Sequence, residues 1–274
     1  MNTGRMLEIK KAADKIRAIC QETSYGIKDI FNSCEKIDNG YKLIRYPFSQ
    51  SKILGLAAIY QGDSIIITNT SEILSREVFS AAHEIGHMRL HLSGGNKAIL
   101  DKTFTDDQGI ETEANYFAAC LLMPKIKLQE YIETVLETRP SELSEFDAAR
   151  LQSEFNVSYD ALINRLEFLD IINSPKAEEL RATKREITVH YLLKAVGGNM
   201  NLCEATYIKK LPPDFFKWAV ELHDRKMIPY ETLQKALGYA GVEDTSLQKE
   251  DEVTPDNNMD LDDLFRGLTD GSVS

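Results

Sequence analysis

The stretch "VFSAAHEIGHMRLHL", Val78 to Leu92, constrains this chain more than any other. Read as an α-helix it sets His83 and His87 one turn apart on one side, with Glu84 about 60° from His87, because successive residues turn by about 100°. Phe79, Ala82, Ile85, Met88 and Leu90 fall on the opposite face and suit packing. Gly86 costs a helix interior about 1 kcal/mol relative to Ala and suits a place where another group approaches closely. The segment therefore reads as a helix with an apolar back and a face of ionisable groups.

Two imidazoles at this spacing can reach one zinc ion, and Glu84 is placed to polarise a metal-bound water and take its proton. The competing reading is an ordinary packed helix that happens to carry two histidines. With 5 His in 274 residues, a chance H-E-x-x-H arises in roughly 1% of such chains. A hydrolytic zinc keeps one position open for water, so a third protein ligand is required. Position 90 is Leu and position 93 is Ser, which argues against the longer pattern with a third histidine. His91 lies one turn further along the same straight helix and would give poor tetrahedral geometry. A carboxylate from the next helix is a better supply. "GIETEANYFAACLLMP" (Gly109–Pro124) carries Glu111 and Glu113 in its first turn, where negative charge suits the helix dipole. These two point about 200° apart, so only one can face a metal.

"HEIGHMRLH" followed by "ETEANYFAACLLMP" resembles the ImmA/IrrE family of zinc metallopeptidases, over roughly Leu7 to Ile172. The resemblance implies a zincin-like domain with a gluzincin-like site. Its third ligand is a glutamate four residues before the Asn of the second motif, hence Glu111 ahead of Asn115; a one-turn misreading would exchange it for Glu113. It further implies that His83 and His87 are ligands and Glu84 the catalytic base. The substrate it implies is a specific cytosolic protein, typically a helix-turn-helix transcriptional repressor cleaved on a stress or induction signal. A reading of another class is a regulatory or sensor protein on the same fold, or a toxin–antitoxin component, with little proteolysis.

The rest of the chain reads as α+β. Helices are expected over Leu7–Glu22 and Ile27–Cys34. Strand-like runs Tyr41–Phe48, Ile53–Tyr60 and Ser64–Asn69 follow, separated by turn signals that suggest a small antiparallel meander. Thr70 or Ser71 is the expected cap of the histidine helix. After the loop "SGGNKAILDKTFTDDQG" come helices over Ile110–Met123 and Lys125–Glu137, then a pair turning at Asn156–Ser158, where Ser158 can cap the second. These make residues 1–172 a zincin-like domain with a trailing helix pair. "NSPKAEEL" (Asn173–Leu180) reads as a linker into a helical region, 173–242, with helices near Glu178–Val196, Pro213–His223 and Tyr230–Leu237, in a recognition or regulatory role. Residues 243–274, with 10 acidic residues against 2 basic, read as a disordered acidic tail suited to docking a basic partner or masking the site.

A net charge of -11 opposes binding to nucleic acid or an anionic membrane. The outward Glu154, Asp160 and Glu167 favour packing over DNA contact for the helix pair. Cys20, Cys34, Cys120 and Cys203 are scattered without a metal or disulfide spacing, and read as reduced thiols of a cytoplasmic protein, Cys120 in the core. The longest apolar run, Ile53–Tyr60, is too short to span a bilayer. Tyr116 and Tyr191 are candidate oxyanion donors that nothing in the sequence distinguishes. His190 and His223 sit in amphipathic segments and read as structural or solvated.

Overall fold

The computed structural model describes residues 1–38, 40–48, 53–92, 97–102 and 108–239, with the backbone alone for 97–102, Gln108 and Arg185; the expected acidic tail, 243–274, lies outside them. The helices are α1 (Thr3–Ile19), α2 (Ile30–Cys34), α3 (Leu74–Leu90), α4 (Gln108–Leu122), α5 (Lys125–Thr134), α6 (Glu145–Phe155), α7 (Tyr159–Phe168), α8 (Ser174–Glu186), α9 (Val189–Ala195), α10 (Phe215–Asp224) and α11 (Tyr230–Tyr239). The strands are β1 (Lys42–Tyr46), β2 (Ile53–Tyr60), β3 (Asp63–Asn69) and β4 (Lys97–Lys102). The fold is α+β, as the alternation of patterns predicts.

The meander expectation is corrected. The sheet order is β1-β3-β2-β4. β2 and β3 form the expected hairpin, turning at Gln61 and Gly62 with φ of 51° and 89°, as a tight two-residue hairpin turn demands. β1 instead lies beyond β3 and runs parallel to it, Lys42 opposite Ile65 and Tyr46 opposite Asn69. β4 comes from the segment expected as loop and pairs antiparallel with β2. The physical reason lies in β3. Ile65, Ile66 and Ile67 are all buried, so the strand needs cover on both faces and neighbours on both sides, which a central strand has.

Alternate residues reach the two faces. Leu43, Ala57 and Ile66 join the main core with Val78, Ala81, Ala82 and Ile85 of α3. Ile44, Leu56, Ala58, Ile65 and Ile67 join a second core built by Phe215, Trp218, Leu222, Leu233 and Leu237 of α10 and α11. The segment after residue 173 thus packs on the preceding part of the chain in two places. Ala177, Leu180 and Leu192 of α8 and α9 extend the main core, while α10 and α11 cover the far side of the sheet. An isolated bridge between Arg45 and Lys210 ties the chain leading into α10 to β1.

Three local expectations change. α3 begins at Leu74 with Ile73 as N-cap and no side-chain cap, rather than at Thr70 or Ser71. The Asn69 side chain takes up the Ser71 backbone N–H and hydroxyl, and the Leu74 N–H donates to Glu204 O at 2.8 Å. A carbonyl from the far end of the sequence thus satisfies an N–H that a local cap would have served. "NSPKAEEL" is no linker: Asn173 caps α8, accepting from Lys176 N, with Pro175 in the first turn. The helix expected over Glu178–Val196 breaks in two, because Ile187 is extended and Thr188 caps α9 by accepting from Tyr191 N. Ser158 caps α7 as expected, accepting from Ala161 N, and Asn156 ends α6 in the left-handed conformation.

One buried ion pair aims α3. Glu77, in its first turn and 1% exposed, accepts from Arg45 Nε and Nη2 of β1, both at 2.8 Å, and from Thr68 Oγ1 of β3 at 2.9 Å. The Arg45 guanidinium also lies 3.7 Å over the Phe31 ring of α2. The start of the histidine helix is therefore fixed to two strands and to α2.

Candidate metal centre

α3 lies between the sheet and α4, and everything from Ser80 to Met88 is buried. Gly86 lets α4 come close: a Cβ there would meet Phe117 Cδ1 at 3.1 Å and Ala114 O at 3.3 Å. This is the close approach its position in the helix suggests. α4 faces α3 with small Ala114 and Ala118, both fully buried, so its first turn is carried over the histidines.

Glu111, rather than Glu113, is the carboxylate brought to the pair. Its Oε2 stands 3.1 Å from His83 Nε2 and its Oε1 3.3 Å from His87 Nε2. The two Nε2 atoms are 2.8 Å apart, and one ligand atom from each of the three residues lies within 4.8 Å of the others. Donors on a tetrahedral zinc, with bonds of about 2.0–2.1 Å, stand about 3.3 Å apart, close to this spacing. The other ring nitrogens are engaged: His83 Nδ1 is 3.0 Å from Asn115 Oδ1, and His87 Nδ1 is 3.0 Å from His91 Nδ1. With Asn115 Oδ1 accepting, His83 carries its proton on Nδ1 and turns a bare Nε2 inward. Burial first, and then the neighbouring His83, hold the His87 imidazole down to about 4, so it stays neutral and able to ligate. With their protons on the outer nitrogens, both imidazoles turn Nε2 lone pairs toward the point that the Glu111 carboxylate also faces. The donor set fits a metal.

Glu84 is fully buried. It points at β2, where a Cβ added to Gly55 would overlap its carboxyl oxygen. Only glycine leaves room for that carboxylate beside the strand. Among the four ligating or catalytic candidates, His83 and His87 are 3% and 0% exposed, while the Glu111 side chain keeps 17% exposure. The site therefore opens on the α4 side, where Asn115 is exposed.

Glu113 is turned elsewhere. It receives Arg5 Nε at 2.9 Å and Nη2 at 2.6 Å, and stands 3.2 Å from His91 Nε2. The Arg5 guanidinium holds its carboxyl down to about 2. Tyr116 lies on another side of α4, its ring 5.9 Å from that of Phe168 and 5.7 Å from the Arg165 guanidinium. Tyr191 is 57% exposed on α9. His190 is exposed, and His223 Nδ1 bonds to Ile228 O at the end of α10. Cys120 is buried, accepting from Arg165 Nη2 at 3.4 Å. Reading the sequence alone misses Arg5 and Gly55. Gly55 carries a signal, a glycine inside an apolar strand, which marks a bulge or a close approach; Arg5 carries none.

A two-histidine helix crossed by a second helix that delivers a carboxylate, set against a small mixed sheet, is the arrangement of the zincin class of metallopeptidase domain. Residues 34–167 match the family model Peptidase_M78, described as IrrE N-terminal-like domain, and over these residues the chain is similar to the ImmA/IrrE family. The chain is also similar to a protein of Bacillus phage phi105 named "Uncharacterized immunity region protein 2", 27% identical over 106 residues, 36% of this chain and 67% of that protein. Among the described residues, no helix is long and apolar enough to cross a membrane.

Proposed function

We propose that the protein is a zinc-dependent endopeptidase of the cytoplasm that cleaves a specific protein, a helix-turn-helix transcriptional repressor, as a regulatory switch. The reading rests above all on the convergence of His83 Nε2, His87 Nε2 and the Glu111 carboxylate within 4.8 Å. Zinc, when held by these three, supplies a Lewis acid that polarises a peptide carbonyl and makes water acidic enough to be a nucleophile at neutral pH. Glu84 accepts the proton of the attacking water at its carboxylate and passes it to the departing amine nitrogen. Its burial against Gly55 keeps it desolvated and in one orientation. Asn115 fixes the His83 ring, and the exposed edge at Glu111 and Asn115 is where a peptide approaches.

The repressor is proposed on two grounds: the match of residues 34–167 to the family model, and the phage relative, whose name places it in an immunity region. The acid-rich end of the chain suits a basic, DNA-binding substrate. The region after residue 173 is assigned to recognition or regulation, beyond its structural task of covering the sheet. The test is to take the genes adjacent to its own, incubate the purified chain with any helix-turn-helix repressor they encode, and analyse fragments by mass spectrometry. Cleavage at one site, lost with a chelator and restored by zinc, is expected. An intact repressor under all zinc concentrations would favour the regulatory scaffold with little proteolysis.

A further inference from the structure

His87 makes its outer contact with another histidine, and that histidine is itself held. His91 is the C-cap of α3, its N–H donating to His87 O at 3.0 Å, and its side chain is 9% exposed. One ring nitrogen meets His87 Nδ1 at 3.0 Å and the other meets Glu113 Oε2 at 3.2 Å. Glu113 in turn receives two bonds from Arg5 of α1.

Hydrogen-bond direction runs one way through this chain of groups. An ionised Glu113 only accepts, so a neutral His91 carries its proton on Nε2. The His91 Nδ1 is then a bare acceptor, and His87 must place its own proton on Nδ1 to meet it. That leaves the His87 Nε2 lone pair pointing at His83 and Glu111. α1 lies outside the part of the chain that matches the family model, residues 34–167. It nevertheless runs along α4, pinned by Arg5 to Glu113 in the first half of that helix and by Arg17 to Leu121 O near its end at 3.0 Å.

We propose that Arg5, Glu113 and His91 form a positioning relay that fixes the tautomer and ring orientation of His87, and so raises the affinity of the centre for zinc. The proposal rests on the reading of His83, His87 and Glu111 as a zinc site. None of the three touches substrate or the reacting atoms; they act through His87. Outer partners of metal-bound histidines typically change metal affinity by about 10–100-fold when removed.

The experiment measures zinc affinity of the full chain by competition with a chromophoric chelator, with the unfolding midpoint of the metal-free protein in urea as a parallel readout. His91→Phe keeps a packed ring and removes the acceptor; Glu113→Gln keeps the shape and removes the charge. Both are expected to weaken zinc by about 10–100-fold while the metal-free midpoint changes little. The exchange Arg5→Glu with Glu113→Arg separates positioning from simple attachment of α1. It restores an ion pair, and with it the metal-free midpoint, but leaves His91 without its acceptor, so zinc affinity stays low. Zinc affinity within about threefold of wild type in His91→Phe, or full recovery in the exchanged pair, overturns the relay while leaving the zinc site standing. If the wild-type chain itself binds no zinc, the metal reading and the relay fall together.

Discussion

Replacing Glu84 with Gln is expected to abolish cleavage while leaving zinc in place. Gln keeps the volume of a side chain confined between α3 and Gly55, so the fold and the three ligating groups are undisturbed. It removes the one carboxylate at the centre that is not needed as a ligand, and with it the acceptor for the proton of water. Loss of a positioned general base costs about 10²–10⁴-fold in rate. The check is single-turnover cleavage of the repressor by wild type and Glu84→Gln at equal zinc occupancy. Cleavage by the variant within tenfold of wild type would remove Glu84 from the chemistry.

The second large effect is on stability. Glu77 is 1% exposed and takes three hydrogen bonds from Arg45 and Thr68. Glu77→Ala leaves the Arg45 guanidinium charged and buried without its counter-ion. Breaking one partner of such a pair costs about 3–5 kcal/mol, whereas replacing both by packed apolar residues is often neutral or favourable. Urea unfolding is therefore expected to show a large drop in midpoint for Glu77→Ala and near recovery for Arg45→Met with Glu77→Leu. A single variant as stable as wild type would show that the pair does not hold α3. Because the pair fixes the start of the helix that carries His83 and His87, the single variant should also lose zinc affinity.

The histidine helix, the carboxylate helix and their order could be read directly from residues, because helical spacing is a local property. Strand positions were legible for the same reason, and the Gln61–Gly62 turn with them. Pairing was not. Ile65, Ile66 and Ile67 are buried on both faces, so they lack the alternation that would report which face packs on α3 and which lies beneath α10. The parallel placement of β1 and the cap that Glu204 supplies to α3 join residues far apart in sequence, and no local pattern encodes them. The site divides similarly. His83, Glu84 and His87 follow from one short stretch, while the choice of Glu111 over Glu113 depends on the side of α4 that meets α3. Arg5 decides the place of Glu113 from the opposite end of the domain, through an ion pair that sequence spacing cannot show.

The central claim is that His83, His87 and Glu111 hold one zinc ion. Metal analysis of the purified full chain beside His87→Ala tests it most directly, since a tetrahedral site with three protein ligands loses most of its affinity with one of them. About one equivalent of zinc per wild-type chain and almost none in the variant is the predicted result. An equal zinc content in both proteins would contradict it.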